Sequence, residues 1–290
     1  MSSSLLGPIA ESAEAYHSRL EISRSQIVDF MRSPKLYHRR YVLRDPVYQK
    51  KPTAALDFGE FCHEAILIHK DATAGFRVIP DSVLSANGSK AGNKWKEWEA
   101  ANQGVAHFKQ NEVAPWLAMW ESLSSCKDAR RLLLDKHEWS YEERSVVWSF
   151  NGIDLRCRID RVIPGCIADL KTCRSGDINH ILAEIEHRKL YIQAAWYSWG
   201  WKETSGELLP FVFVFVEKAP PYATVCVRLD SDWISDGMRE IEDALIRLQR
   251  RSDADDWTDP GSEEVFTLSR QSWADRQLQI RGDIDNGDNA

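Results

Sequence analysis

Residues 138–173 constrain this chain most. Three segments rich in Val, Ile and aromatic residues, YEERSVVWSF, IDLRCRIDRVI and CIADLKTC, follow one another with only Asn151-Gly152 and Pro164-Gly165 between them. Asn-Gly and Pro-Gly are short-turn dipeptides, and turns this tight oblige consecutive strands to pair antiparallel. A three-stranded meander is therefore expected. FVFVFVEK (211–218) and TVCVRLD (224–230) flank Pro220-Pro221 and add two strands, with a helical pattern at 178–201 ahead of them.

Helical periodicity governs most of the rest. ISRSQIVDFMRSPKLYHRRYVL carries Ile22, Ile27, Phe30, Met31 and Tyr37 at helical spacing, with Ser23 or Ser25 as N-cap. Ser33-Pro34 ends one helix and opens the next, because proline fits a first helical turn. Residues 54–70 form another helix, with Phe58, Phe61, Ala65 and Ile68 on its apolar face. Residues 85–104 are polar and then helical, and helices are expected at 116–134 and 232–250. The order β-β-β-α-β beside many helices gives an α+β fold with a mixed sheet. Without a repeat or a Pro- or Ser-rich linker, one structural domain is expected. It would comprise a flexible 1–18, a helical 19–135, a core at 136–250 and an acidic tail at 251–290.

Composition excludes some classes. With 43% hydrophobic and 28% charged residues the 290-residue chain can bury a core. Its longest apolar run is FVFVFV (211–216), far short of a membrane span, and MSSSLLGPIAESAE lacks the features of a signal peptide, so a cytoplasmic location is expected. The six cysteines contain no C-x-x-C pair and are expected as buried thiols. A net charge of -7 argues against nucleic-acid binding, but the charge is unevenly placed. Residues 19–51 hold nine basic and three acidic side chains, whereas 231–290 hold seven and fifteen. The basic stretch fits either a positive groove or a solvated helical surface.

Asp160 ends the second strand of the meander, and Asp169-Leu170-Lys171 ends the third. Antiparallel pairing can bring the two aspartates side by side, and Asp169 and Lys171 share a sheet face because side chains alternate. Two hard oxygen ligands beside one ammonium group suit Mg2+, which keeps waters and takes substrate phosphate as further ligands. The cation would acidify a bound water, and Lys171 would orient or deprotonate it. Such a triplet also occurs as an ordinary surface ion pair. Its apolar company, Cys166-Ile167 before and Cys173 after, favours the site, since charges in such a strand need a partner.

The run RCRIDRVIPGCIADLKTC resembles the core of the RecB-like branch of the PD-(D/E)xK nucleases. Gln193 and Tyr197 in YIQAAWYSWG match that branch's Q-x-x-x-Y motif, and Gly59 and His63 in GEFCH match its G-x-x-x-H motif. SRSQIVDFMRSPKLYHRRY and FVFVFVEKAPPYATVCVRLD extend the likeness toward the exodeoxyribonuclease VIII (RecE-like) group, over roughly residues 20–275. The resemblance implies a restriction-endonuclease-like core, a mixed central sheet flanked by helices, with N-terminal helical additions. It implies a metal-dependent exonuclease of double-stranded DNA in recombination, repair or phage-related processing. It also implies a homo-oligomer, with a single-strand annealing or recombination protein as partner. Mg2+, with Mn2+ as substitute, would be held by His63, Asp160, Asp169 and the Leu170 backbone carbonyl. Lys171 would assist hydrolysis, Gln193 and Tyr197 would reach phosphate or Lys171, and Glu143 would support the ligands or stand as a plain strand carboxylate.

Arg24, Arg32, Lys35, Arg39 and Arg40 would grip DNA phosphates. Ser33-Pro34 stands where related nucleases have a Cys-Pro, and no cysteine follows Cys226, so no iron-sulfur cluster is expected. A structure-specific endonuclease and a retired DNA-end-binding module are the competing functions. Trp116, Trp120, Trp148, Trp196, Trp199 and Trp201 are expected mainly as packing residues, with base stacking the alternative.

Overall fold

A computed structural model describes residues 7–49, 54–259 and 265; the side chains of 54–57 are not described. The meander forms as expected from β5 (Tyr141–Phe150), β6 (Ile153–Ile163) and β7 (Cys166–Cys173). Asn151 and Gly152 both take positive φ, 50° and 82°, as a tight hairpin between twisted strands requires. After β7 the chain crosses over through α8 (Ile178–His187) and α9 (Leu190–Ser205), so β8 (Phe211–Glu217) lies parallel to β7. β9 (Thr224–Arg228) returns antiparallel. Two short strands complete the sheet: β1 (Ile9–Ala10) pairs with β5, and β2 (Ile22–Ser23) runs parallel to β6. The sheet order is β1-β5-β6-β7-β8-β9, with β2 beside β6. The result is a mixed sheet flanked by helices.

Each sheet face carries its own core. One packs Leu155, Ile159 and Phe213 with Trp196 of α9, Ile27 and Phe30 of α2 (Arg24–Arg32), and Leu245 of α10 (Ser231–Ala254). The other packs Leu170 and Val214 with Phe61 of α4 (Ala54–His63), Trp116 of α6 (Gln110–Ser125) and Leu133 of α7 (Lys127–Leu133). A small parallel pair, β3 (Phe76–Val78) and β4 (Ala106–Phe108), stands apart with α5 (Asn93–Ala101) between its strands in sequence.

Several expectations are corrected. Within the stretch expected to be flexible, residues 9–10 join the sheet, and α1 (Ala13–Ser18), capped by Ser12, buries Tyr16, while residues 1–6 lie outside the described residues. The helix expected at 116–134 begins at Gln110 and breaks at Cys126. That at 54–70 changes to a π turn over Glu64–His69, whose extra residue per turn rotates Ile68 into solvent and buries Ile66 and Leu67 instead. The last helix runs past 250 to Ala254. Beyond it Trp257 stacks on His38, ring centroids 4.7 Å apart and planes 2° apart, and Asp259 accepts from Ser33 Oγ at 2.7 Å. The remainder of the expected acidic tail, 260–264 and 266–290, lies outside the described residues. Cys62, Cys157, Cys166 and Cys173 are buried, whereas Cys126 and Cys226 are only partly so.

α9 is buried nearly all round because the sheet covers one side and α10 the other. That sandwich needs a small residue on α10. A β-carbon placed on Gly237 would stand 2.9 Å from Ala195 Cβ and 3.0 Å from the Tyr191 carbonyl oxygen, and backbone cannot swing aside. Gly237→Ala should therefore lower stability by about 1–3 kcal/mol, as overpacking does, despite alanine's better helix propensity. Urea denaturation measures it; a variant as stable as the parent would show the helices free to separate.

Candidate active site

Strands β5 and β6 share a local fault. Val146 and Trp148 on β5, and Leu155, Cys157 and Ile159 on β6, face the α9 core in strict alternation. Tyr141 and Val162 face the same core although alternation would turn them away. The parity changes at Glu143 and Asp160. They stand opposite one another, between the pairs Glu142↔Arg161 and Arg144↔Ile159, yet drop out of the ladder. Glu143 has φ 51°, a left-handed conformation costing a non-glycine residue about 1–3 kcal/mol, which surrounding structure must hold in place.

Asp160 also marks a fork. β6 and β7 pair only from Arg161↔Ala168 to Ile163↔Cys166; β6 then takes β2 as neighbour while β7 follows β8. Asp160 and Asp169 are the first residues past the last pair, and the Leu170 N–H donates to Asp160 Oδ2 at 2.9 Å. His63, the last residue of α4, enters from the other side. Its Nε2 donates to the Leu170 carbonyl at 3.1 Å, while Nδ1 lies 3.4 Å from Glu143 Oε1 and 3.5 Å from Asp160 Oδ2. Glu143 is held in turn by Arg158 Nε at 3.1 Å.

Asp169 is almost completely buried. Its Oδ1 accepts from Gln193 Nε2 at 2.5 Å, and its other oxygen forms an ion pair with Lys171. Tyr197, one turn after Gln193, packs edge-on against Phe211, ring centroids 6.0 Å apart, and burial holds its phenol protonated.

Electrostatics set what the site can hold. Burial, and then the charge of Asp160, pushes the Asp169 carboxyl up to about 6; burial also raises Asp160. Burial alone would lower His63, but Asp160 and Glu143 bring it to about 9. Two buried carboxylates thus lean on an imidazolium and an ammonium for positive charge. Among the described residues, His63, Glu143 and Asp160 offer ligand atoms all within 4.8 Å of one another. Imidazole nitrogen with carboxylate oxygens is a donor set for a divalent cation, so the residues fit one.

The structure therefore brings His63, Asp160, Asp169, Leu170, Lys171 and Gln193 together, with Tyr197 beside them. It gives Glu143 a more direct place than the sequence suggested. No sequence signal marks a left-handed residue within a strand, so its approach to His63 was not legible. Of the five basic residues, two are already engaged within the fold. Arg24 Nη2 bonds the Arg188 and Lys189 carbonyls at 2.5 and 2.6 Å, and Arg40 pairs with Asp29 at 2.6 Å. Arg39 lies 3.4 Å from Asp45, while Arg32 and Lys35 are exposed. Arg144, Arg158 and Lys70 were overlooked; with Glu142 and Glu143 they line a cleft of about 820 Å³, which shares Glu143 with the cluster. Arg158 had a signal, since it stands two residues before Asp160 in RCRID.

Comparison with known proteins agrees with this geometry. The family model described as a PDDEXK-like domain of unknown function (DUF3799) matches residues 23–267. The crystal structure of a candidate exonuclease from Eubacterium rectale superposes with a TM-score of 0.61 at 14% identity, covering 90% of this chain and 96% of that one. The crystal structure of SSO0001 aligns over 81% of both chains at 13% identity, but its TM-score of 0.39 carries no weight. No protein of curated function matches.

A cation among these ligands must displace a proton from His63, which is protonated below about pH 9 in the metal-free protein. Raising the pH should tighten Mn2+ or Mg2+ binding, by about one log unit per pH unit where His63 alone titrates, between about 6 and 9. Calorimetry of the full chain in buffers of different ionisation enthalpy should register about one proton released per ion. Affinity independent of pH across that window would remove His63 from the ligand set.

Proposed function

The chain belongs to the PDDEXK-like family matched over residues 23–267, and from that membership we propose that it is a Mg2+-dependent nuclease that degrades double-stranded DNA from an end. The observation carrying this reading is the cluster at the fork of β6 and β7, with Asp160, Asp169 and Lys171 beside His63, Glu143 and Gln193. His63, Asp160, Asp169 and the Leu170 carbonyl, joined by Glu143, would hold the cation. Mg2+ would acidify a bound water and polarise the phosphoryl oxygen.

The chain's own groups do the rest. Lys171 is anchored by its ion pair with Asp169, and its ammonium can orient the attacking water and offset the charge growing on the phosphate. Gln193 fixes the Asp169 carboxylate through Oδ1, leaving its second oxygen for Lys171 and the cation. Burial keeps the Tyr197 phenol protonated, so it can donate to phosphate. The RecE-like affiliation, exonucleolytic action, a homo-oligomer and a recombination or annealing partner belong to the same reading. The name of the Eubacterium rectale neighbour supports exonuclease over endonuclease.

Incubation with end-labelled linear duplex should yield cleavage in Mg2+ or Mn2+ and none in Ca2+ or excess chelator. Digestion of linear but not closed circular DNA would assign exonuclease action, and the reverse preference an endonuclease. Lys171→Ala should reduce turnover about 100-fold or more while DNA still binds. Wild-type turnover by that variant would sink the assignment of Lys171.

Phosphate grip falls to the basic residues that remain exposed. Arg32→Ala and Arg39→Ala should each flatten the slope of log affinity against log salt for duplex DNA by about one unit. Anisotropy of a labelled duplex in Ca2+ measures this; slopes equal to wild type for both would place the DNA elsewhere, with the cleft of Arg144 and Arg158 the next candidate.

A further inference from the structure

Helix α4 serves two sites. His63 ends it at the metal cluster, while Phe58 and Phe61 face a pocket of about 690 Å³ bounded by β4, α5 and the start of α6. Six rings line that pocket: Phe58, Phe61, Trp95, His107, Phe108 and Trp116. Phe61 and Phe108 lie edge to face at 4.7 Å between centroids, and His107 stands likewise to Trp95 at 5.6 Å. Phe61, Trp95, Phe108 and Trp116 are buried walls, whereas Phe58 and His107 keep part of their ring surface open to solvent. The volume falls within the about 300–1,000 Å³ of small-ligand sites.

Two lysines join the lining. Lys90 Nζ donates to the His107 carbonyl at 2.8 Å and lies 5.7 Å from the Trp95 ring centroid. Lys218 is exposed just past β8, and its N–H donates to the Cys173 carbonyl at the end of the catalytic strand β7. The lining carboxylates are Glu99 and Glu112, and Glu112 is already engaged by the Lys109 N–H at 2.7 Å.

We infer that this pocket takes a nucleobase of unpaired DNA, the base left without its partner as the nuclease works into a duplex end. The inference rests on the nuclease reading. A base offers a flat ring that stacks on aromatic side chains whatever its sequence, and its phosphate meets ammonium groups. Lys218 supplies the exposed ammonium, and Lys90 already bridges the rings to the rim of positive charge. An aliphatic ligand would not use six rings, and a protein aromatic side chain would not use the lysines. The placement also fits: a helix is about 10–12 Å thick with its side chains, so the pocket and the metal cluster are separated by little more than α4 itself. When one strand is drawn to the cluster, its partner's terminal base loses its pairing, and stacking on aromatic rings compensates for part of that loss.

Photocrosslinking tests this on the full chain in Ca2+, where cleavage is not expected. One probe is a duplex with a short single-stranded overhang carrying 5-iodouracil; the other is a blunt duplex with 5-iodouracil in its paired interior. Mass spectrometry should map overhang crosslinks to Phe58 or to residues 95–108, and interior crosslinks elsewhere. Phe58→Ala and the exposed-site variant Lys218→Glu should each weaken binding of the overhang probe about tenfold, the scale of one lost stacking or phosphate contact, and change blunt-duplex binding little. Thermal melting checks that both variants fold. Overhang crosslinks confined to other residues, or variants that fold and bind both probes like wild type, would overturn the pocket while leaving the nuclease reading intact. Failure of the wild-type chain to bind either probe would overturn both.

Discussion

Two like charges buried next to one another govern this structure. Asp160 and Asp169 sit at the fork of β6 and β7, both out of water and both raised by that burial. Carboxylates in such a place are costly unless positive charge or N–H groups meet them. Every neighbouring element answers that need. β7 supplies the Leu170 N–H and Lys171, α9 supplies Gln193, and α4 supplies His63. β2 fills the gap beside β6 that the fork opens. The crossover through α8 and α9 thus does more than return the chain for β8, since it brings the Gln193 amide to Asp169.

The fault at Glu143 is the backbone counterpart of that arrangement. A regular β5–β6 ladder would keep one parity along both strands. The left-handed Glu143 coincides with a change of parity in both strands, at the point where Asp160 comes close enough to Asp169 for its charge to raise that carboxyl. Its conformational cost is of the same order as one good charge-assisted hydrogen bond. The contacts of Glu143 with Arg158 and His63 are enough to hold it. The left-handed residue thus stands where β6 and β7 diverge, within reach of His63 and Asp160.

The parts of this site that were legible in the sequence are those whose geometry follows from spacing. Asp169 and Lys171 share a face because strand side chains alternate, and Gln193 and Tyr197 share one because helical residues four apart align. Asn151-Gly152 and Pro164-Gly165 fixed the meander by turn chemistry. What spacing does not encode was missed. Two-residue strands such as Ile9–Ala10 and Ile22–Ser23 have no period to detect. The π turn after His63 shifts its helix face by a residue, and the direct role of Glu143 depends on a backbone angle that no residue type announces.

Charge counting misled for a related reason. The basic excess at 19–51 suggested a positive groove, yet part of that charge is engaged within the fold. Arg24 binds the carbonyls that end α8, Arg40 binds Asp29, and Asp259 accepts from Ser33 Oγ and the Lys35 N–H. An arginine satisfied by backbone carbonyls or a carboxylate offers less to phosphate than its formal charge implies, because a rigid guanidinium bonds what lies in its plane. The positive charge left for a polyanion is therefore narrower than the sequence indicates: Arg32, Lys35 and Arg39, which are exposed, and Arg144, Arg158 and Lys70, which line the cleft. Because Glu142 and Glu143 already balance Lys70 and Arg158, the cleft is nearly neutral until a divalent cation joins the carboxylates. Metal and DNA would then bind cooperatively, each supplying the charge that the other requires.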